Sequence, residues 1–143
     1  MYKKTITYKN FDGEEVTEDL FFNLSKAEIS KSNYSVAGGI ENLLRKMVNE
    51  KNIQTISELF TEFLGRSFGI KSDDGKYFRK SPEIRADFES SAAYDVLYME
   101  LLSSAEEAIA FIKGVIPSDL TEGLENSEEY KALVAKAKEA DQA

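Results

Sequence analysis

The sequence predicts an α+β fold in which an N-terminal antiparallel β-hairpin packs on a mainly α-helical bundle of about five to six helices. Residues 2–8 and 16–23 are rich in β-branched and aromatic residues and alternate in polarity, as half-buried strands do. Asp12-Gly13 lies between them and is a dipeptide typical of a turn. Most of the remaining chain carries apolar residues three and four positions apart, which is the period of an amphipathic helix.

The predicted hairpin has one apolar face, which must be covered because an isolated hairpin is only marginally stable in water. Phe21 points to the opposite face. Either both faces of the hairpin are covered, or Phe21 is available to a partner. The residues that share the first face are Tyr2, Lys4, Ile6 and Tyr8 in one strand and Val16, Leu20 and Phe22 in the other.

Two serine–glutamate pairs predict helix starts of the capping-box type. In this motif a serine and a glutamate three residues later each accept a hydrogen bond from the other's backbone N–H. The pairs are Ser25 with Glu28 and Ser103 with Glu106. The helix that follows the second pair is predicted to end at Gly114, since glycine is common just beyond a helix.

Further helices are predicted from their starts and from their apolar stripes. Ser81 precedes a proline, a pair that suits the first turn of a helix, and either Ser90 or Ser91 begins the next one. A turn between two short extended pieces is predicted within residues 68–78, and a hinge at the glycine pair 38–39. The stripes predicted to be buried are Ile40, Leu43, Leu44, Met47 and Val48; Ile53, Ile56, Phe60, Phe63 and Leu64; Tyr94, Leu97, Tyr98, Leu101 and Leu102; and Ala108, Ile109 and Ile112.

The chain is expected to divide near Pro117. Residues 1–117 would form a single α+β domain, and residues 118–143 an acidic linker followed by an amphipathic C-terminal helix, because large apolar residues become scarce after this point. This helix is expected either to dock on the domain or to fray. Its apolar face carries Tyr130, Leu133, Val134 and Ala137.

The composition excludes several kinds of chemistry. The chain has 143 residues without cysteine or histidine, so disulfides, thiolate metal sites and Ser-His-Asp or Cys-His hydrolases are excluded. The net charge of −8 and the lack of a basic patch argue against nucleic-acid binding. No apolar run is long enough to span a bilayer and no targeting pattern is visible, so we expect an intracellular, soluble protein.

Paired carboxylates are the remaining candidates for catalysis or metal binding. Asp73-Asp74-Gly75 resembles the start of a calcium loop but lacks the later oxygen ligands that such a loop needs. The other pairs fit surface turns, strands and helix starts, where acids are common. We therefore expect neither an enzyme nor a bound cofactor or metal, and a carboxylate-only enzyme stays an alternative. The other pairs are Glu14-Glu15, Glu18-Asp19 and Glu106-Glu107.

The order of several motifs resembles the tail assembly chaperones of long-tailed bacteriophages and prophages of Gram-positive bacteria. The resemblance covers residues 1 to 117, and it depends on the order and spacing of the motifs because none of them is catalytic. The motifs are residues 2–8, the Phe11-Asp12-Gly13 turn, residues 18–28, Gly38-Gly39-Ile40, residues 69–81 and residues 111–117.

The resemblance implies a role in the host cytoplasm during virion assembly. Such chaperones bind the long, hydrophobic, helical tape-measure protein and keep it soluble while tail-tube subunits assemble around it. They are typically absent from the finished particle. The tail-tube protein is a second partner to be considered, and a homo-oligomer is compatible with the sequence.

A groove that accepts an amphipathic helix would suit this role. The first choice for it is the helix with the tyrosine-bearing stripe, because tyrosine combines an apolar ring with a polar tip. The C-terminal stripe could instead fill the groove in cis until a partner displaces it. The candidate partner-binding residues are Phe21, Tyr94, Leu97, Tyr98, Leu101, Tyr130, Leu133 and Val134.

Two other functions fit an acidic chain of this kind. One is a phage-encoded inhibitor that mimics nucleic acid and acts on a host protein, which would need acids spaced like phosphates on one surface. In this sequence lysines interrupt the acids. The other is a structural component of the tail, which would remain in purified virions.

Overall fold

The computed structural model of the protein describes residues 1–31, 53–118 and 128–142, and it has the predicted α+β fold. The predicted hinge at Gly38-Gly39 and the predicted stripe from Ile40 to Val48 lie outside the described residues. The strands within these ranges are β1 (Tyr2–Lys9), β2 (Glu15–Phe22), β3 (Phe68–Lys71) and β4 (Phe78–Arg79). The helices within them are α1 (Lys26–Ser30), α2 (Ile53–Ser67), α3 (Pro82–Glu89), α4 (Ala92–Leu102), α5 (Ala105–Val115) and α6 (Glu128–Gln142).

The four strands form one antiparallel sheet in the order β1-β2-β3-β4. The predicted hairpin is confirmed, with Lys3 opposite Phe21. The sheet is larger than predicted because the two short extended pieces also join it, and Phe22 of β2 lies opposite Phe68 of β3. Sequence alternation could not reveal this pairing, since β3 and β4 are too short to show a period.

The turn between β1 and β2 is fixed by Asn10 and Gly13. The side-chain oxygen Oδ1 of Asn10 accepts hydrogen bonds from the backbone N–H groups of Asp12 and Glu14 at 3.0 and 2.9 Å. Gly13 has a φ of +81°, a conformation that glycine adopts without steric cost. These constraints hold the register that places Ile6, Leu20 and Phe22 in the core.

The core is centred on the aromatic ring of Phe22, which is fully buried. This ring makes edge contacts with Phe68 of β3, Phe88 of α3 and Phe111 of α5, at centroid distances of 5.6, 5.8 and 5.0 Å. Phe111 also makes an edge contact with Tyr2 of β1 at 5.1 Å. The inner face of the sheet is therefore joined to two helices through a single cluster of rings.

Serine caps begin several helices where the sequence predicts them. Ser25 and Glu28 form the predicted capping box, with reciprocal backbone-to-side-chain bonds of 3.1 and 3.0 Å. Ser81 caps α3 as predicted. Of the two serines proposed for the start of α4, Ser91 is the cap.

The predicted capping box at Ser103 and Glu106 is wrong by one residue. Ser104 is the cap of α5, and its hydroxyl accepts from the backbone N–H of Glu107 at 3.2 Å. Ser103 instead closes α4, because its backbone N–H donates to the carbonyl of Met99 at 3.1 Å. When two serines are adjacent, the end of the preceding helix decides which of them caps the next helix.

Gly114 does not end α5, which continues to Val115. It lies against the ring of Tyr2, and a Cβ atom added there would be 2.4 Å from Cδ2 of that ring. A side chain at this position would displace the Tyr2 ring, so glycine allows β1 to place this ring directly on the helix.

Candidate partner-binding surfaces

The main candidate surface is the seam between α5 and α6. Tyr130, Leu133 and Ala137 are buried, with 9%, 6% and 0% of their surface exposed, and they belong to the same core cluster as Ile109 and Ile112 of α5. Spacings of three and four residues place the α6 residues on one helical face. The predicted amphipathic helix therefore docks against α5, while the division of the chain at residue 117 stays a prediction.

Asp141, near the end of α6, binds the first turn of α5. Its carboxylate accepts from the hydroxyl of Ser104 at 2.8 Å and from the backbone N–H groups of Ala105 and Glu106 at 2.9 and 3.2 Å. The first N–H groups of a helix have no partner within the helix, and the positive end of its dipole favours an acid. The end of α6 is therefore tied to the start of α5, so the two helices run antiparallel.

The hydrogen bonds at Asp141 also change its acidity. Partial desolvation acts to raise the pKa, but the bonds from Ser104, Glu106 and Ala105 outweigh it and lower the pKa below its ordinary value of 3.8. The carboxylate is therefore in its charged, hydrogen-bonding form throughout the physiological range.

A cavity of about 580 Å³ lies beside the seam. This volume is in the range of pockets that receive ligands or partner side chains. Ala110 is exposed at its wall, so the cavity reaches the surface. The apolar side chains that line it include Ile109, Ala110, Ile116, Pro117, Tyr130 and Val134.

Two charged residues of α5 also line this cavity. Lys113 lies with its Nζ atom 5.8 Å from the centre of the Tyr130 ring, within the range of a cation–π contact. Glu106 lies two turns earlier on the same helix. An apolar groove with one acid and one base is suited to an amphipathic segment that carries charges beside its apolar stripe.

The tyrosine-bearing helix α4, the first choice from the sequence, is mostly committed to the core. Leu97 and Leu101 are buried, with 0% and 3% of their surface exposed, and α4 packs on β1. Tyr94 and Tyr98 are half-buried and stack at a centroid distance of 5.7 Å, and the Tyr98 hydroxyl is bonded to Ser57 of α2. A partner could reach the two leucines only if α4 moved, so their role in binding stays a prediction.

Phe21 is half-buried on the outer face of the sheet, opposite Gly69. The Nζ atom of Lys71 lies 5.8 Å from the centre of its ring. The Phe78 ring covers Gly69 so closely that an added Cβ would be 2.6 Å from its Cε2 atom. Part of the Phe21 ring is therefore available on this face, and its contact with a partner stays a prediction.

The structure brings only part of the predicted site together. Tyr130 and Val134 line the cavity, and Leu133 is buried beneath them in α6. Phe21 and the four α4 residues do not line it. The candidate residues therefore belong to different surfaces rather than to one groove.

Sequence reasoning missed the α5 side of this groove. Residues 108–112 are five apolar residues in succession, which exceeds a single stripe and is typical of a helix that packs on more than one side. That pattern could have identified Ala110 as groove-lining. Nothing in the local pattern of Ile116 and Pro117 indicates a cavity.

Two further properties concern the described part of the chain. Among residues 1–31, 53–118 and 128–142, no cluster of three or more acids has the arrangement of a metal site. No helix in these ranges is long and apolar enough to cross a membrane.

The fold and the seam define an α+β protein with a groove, lined by both apolar and charged side chains, between two antiparallel helices. A family model described as phage tail assembly chaperone matches residues 1–143, and the chain therefore belongs to that family. This confirms the resemblance to tail assembly chaperones and extends it over the C-terminal residues. The restriction to phages of Gram-positive hosts stays a prediction. No curated protein and no solved structure gives a significant match.

Proposed function

We propose that this tail assembly chaperone binds the tape-measure protein through the groove at the α5–α6 seam and keeps it soluble during tail assembly. The observation that carries the proposal is the cavity of about 580 Å³, in which apolar side chains such as Ile109 and Val134 lie beside the charged Glu106 and Lys113, on a chain with a net charge of −8. A tape-measure protein exposes apolar helical stripes before the tube surrounds it. Such a stripe can place its side chains in an apolar groove between helices.

The negative net charge of the chain would also help to keep the tape-measure protein soluble. A complex formed between the groove and an apolar helix inherits the negative charge of the chaperone, and like charge keeps such complexes apart in solution. In this proposal no reaction is catalysed and no cofactor is needed. The protein acts in the cytoplasm of the host, does not remain in the virion, and can also meet the tail-tube protein during assembly.

Ion pairs weaken the alternative of a nucleic-acid mimic. Lys80 contacts Glu28 at 2.7 Å, and Arg85 contacts Glu89 at 2.6 Å. Such pairs neutralise acids locally and interrupt any row of free carboxylates that could imitate phosphates.

Co-expression tests the proposed function. A tape-measure fragment is expressed with the wild-type chain, with Ala110→Glu or with Ala132→Glu, and its soluble fraction is measured after centrifugation. Ala110 lines the groove, whereas Ala132 is exposed on α6 and does not line it. Both changes add the same charge to a helix, so Ala132→Glu is a matched control.

We expect the wild-type chain and Ala132→Glu to keep the fragment soluble, and Ala110→Glu to lose most of this effect. A charge in the groove would have to be desolvated when an apolar helix binds. The proposed function is wrong if the fragment precipitates equally with and without the wild-type chain. The assignment to this groove is wrong if Ala110→Glu acts like wild type.

A further inference from the structure

We propose that α6 is a removable intramolecular ligand, and that the tape-measure helix takes its place on α5. This inference rests on the proposed function and refines it: the α5 side of the groove stays in place, and the incoming helix replaces the α6 side. The contacts of α6 indicate which type of residue the incoming helix needs at each position. It carries a large apolar residue at i and i+3, a small residue at i+7 and a carboxylate at i+11, as Tyr130, Leu133, Ala137 and Asp141 do in cis.

The position of the carboxylate follows from the contacts of Asp141. Three donors at the start of α5 point to one carboxylate, and all three lie at an exposed part of the surface. Water can replace a carboxylate at such a position, so α6 can leave without stranding buried polar groups. The same donors can then receive an acid from an incoming helix.

The apolar contacts of α6 are few for a helix of 15 residues. Its fully described buried residues are Tyr130, Leu133 and Ala137, and its other described side chains are exposed or, like Val134, half-buried. Segments with few buried apolar contacts open at lower free energy than the centre of a core. Detachment of α6 is therefore expected to precede global unfolding.

The cavity indicates which kind of helix would replace α6 on α5. Because the described residues leave about 580 Å³ beside Val134 and Tyr130 unfilled, α6 does not use all of the apolar surface at the seam. A helix with bulkier side chains at these positions would fill that space and gain additional burial and dispersion contacts. Such a helix can therefore displace α6, whereas a poorly matched helix cannot.

The first experiment measures detachment without any partner. Amide hydrogen exchange is followed in the full-length wild-type chain, in Asp141→Ala and in Glu139→Ala. Both substitutions remove one carboxylate from α6, but Glu139 is exposed and makes no contact with the start of α5. Loss of a helix cap predicts about fivefold faster exchange for α6 amides in Asp141→Ala. Exchange in β2, and in α5 beyond Ala105 and Glu106, whose N–H groups donate to Asp141, should not change.

The second experiment adds a synthetic peptide with the sequence of residues 128–142 that carries the substitution Val134→Leu. The full-length chain is labelled with ¹⁵N, and the shifts of α5 amides report binding. We expect the peptide to bind Asp141→Ala about fivefold more tightly than wild type or Glu139→Ala, because the weakened α6 competes less well.

The inference is overturned if α6 amides exchange only together with those of β2, or if the peptide binds all three chains equally or does not shift α5 amides. Dimers of Asp141→Ala would assign the surface to a second copy of this chain and would also overturn it. None of these results involves a tape-measure fragment. The inference can therefore fail while co-expression still supports the proposed function, and the reverse also holds.

Discussion

At the scale of single residues, the structure depends on rings and glycines that fit one another closely. Phe22 contacts rings from β3, α3 and α5, so one side chain joins the sheet to two helices. Gly114 lets the Tyr2 ring lie on α5, next to the helix face that carries the groove. The rings of Phe22 and Tyr2 therefore both pack on α5, through their contacts with Phe111.

Phe22→Ala should be among the most destabilising single substitutions. Removing a fully buried ring leaves a cavity between three elements, and such changes cost about 3–5 kcal/mol. The free energy of unfolding in urea measures the loss. Phe11→Ala is the matched control, because Phe11 is 85% exposed and should change stability by less than about 0.5 kcal/mol. Equal effects of the two changes would contradict the assigned core.

Gly114→Ala should destabilise the fold through one contact. The added methyl group would be 2.4 Å from Cδ2 of Tyr2, which forces the ring aside at a cost of about 1–3 kcal/mol. Removing the ring by Tyr2→Ala should abolish this cost, so the double variant should be more stable than the sum of the single effects predicts. Strictly additive effects would show that the contact with Tyr2 is not the cause.

At the scale of elements, α5 is packed on two sides. Phe111 and Ile112 are fully buried in the core, while Ile109 and Ala110 line the cavity beside α6. The helix start is also shared, since Ser104 caps its own helix and donates to Asp141 of α6. Loss of α6 would therefore uncover one side of α5 and leave the other in place.

The docking of α6 should weaken at acid pH. The pKa of Asp141 is lowered in the folded chain, so its stabilising effect is fully present above the ordinary value of 3.8 and is lost as the pH falls through the folded value. The difference in unfolding free energy between wild type and Asp141→Ala should therefore be larger at pH 6 than at pH 2. Urea denaturation at both values measures it, and a difference that grows at low pH would contradict the assigned contacts.

At the scale of the whole molecule, the sequence was most informative where one face of an element is buried. The alternation in β1 predicted Ile6 in the core, and the stripe in α6 predicted that Tyr130, Leu133 and Ala137 share the face that is buried if the helix docks. These predictions succeeded because burial on one face imposes a period on the residues. The spacing of apolar residues alone does not indicate which other element covers that face.

The candidate site was harder to predict because it depends on how elements pack together. Tyr94 and Leu97 have the expected helical spacing, but a stripe in the core and a stripe in a groove look alike in sequence. The contact of Asp141 with Ser104 joins residues 37 positions apart, and no local pattern indicates it. The cavity beside Ala110 likewise exists only once α5, α6 and the N-terminus are in place.

The most direct test of the central claim is to find which surface responds to a tape-measure fragment. Since the chain has no cysteine, single cysteines carrying an environment-sensitive fluorophore can be placed at three exposed positions. Ala110→Cys reports on the seam, Met99→Cys on the outer side of α4, and Lys71→Cys on the outer face of the sheet. Titration with the fragment should raise and blue-shift the emission at Ala110→Cys and leave the other two unchanged. A response at Met99→Cys or Lys71→Cys without one at Ala110→Cys would contradict the account.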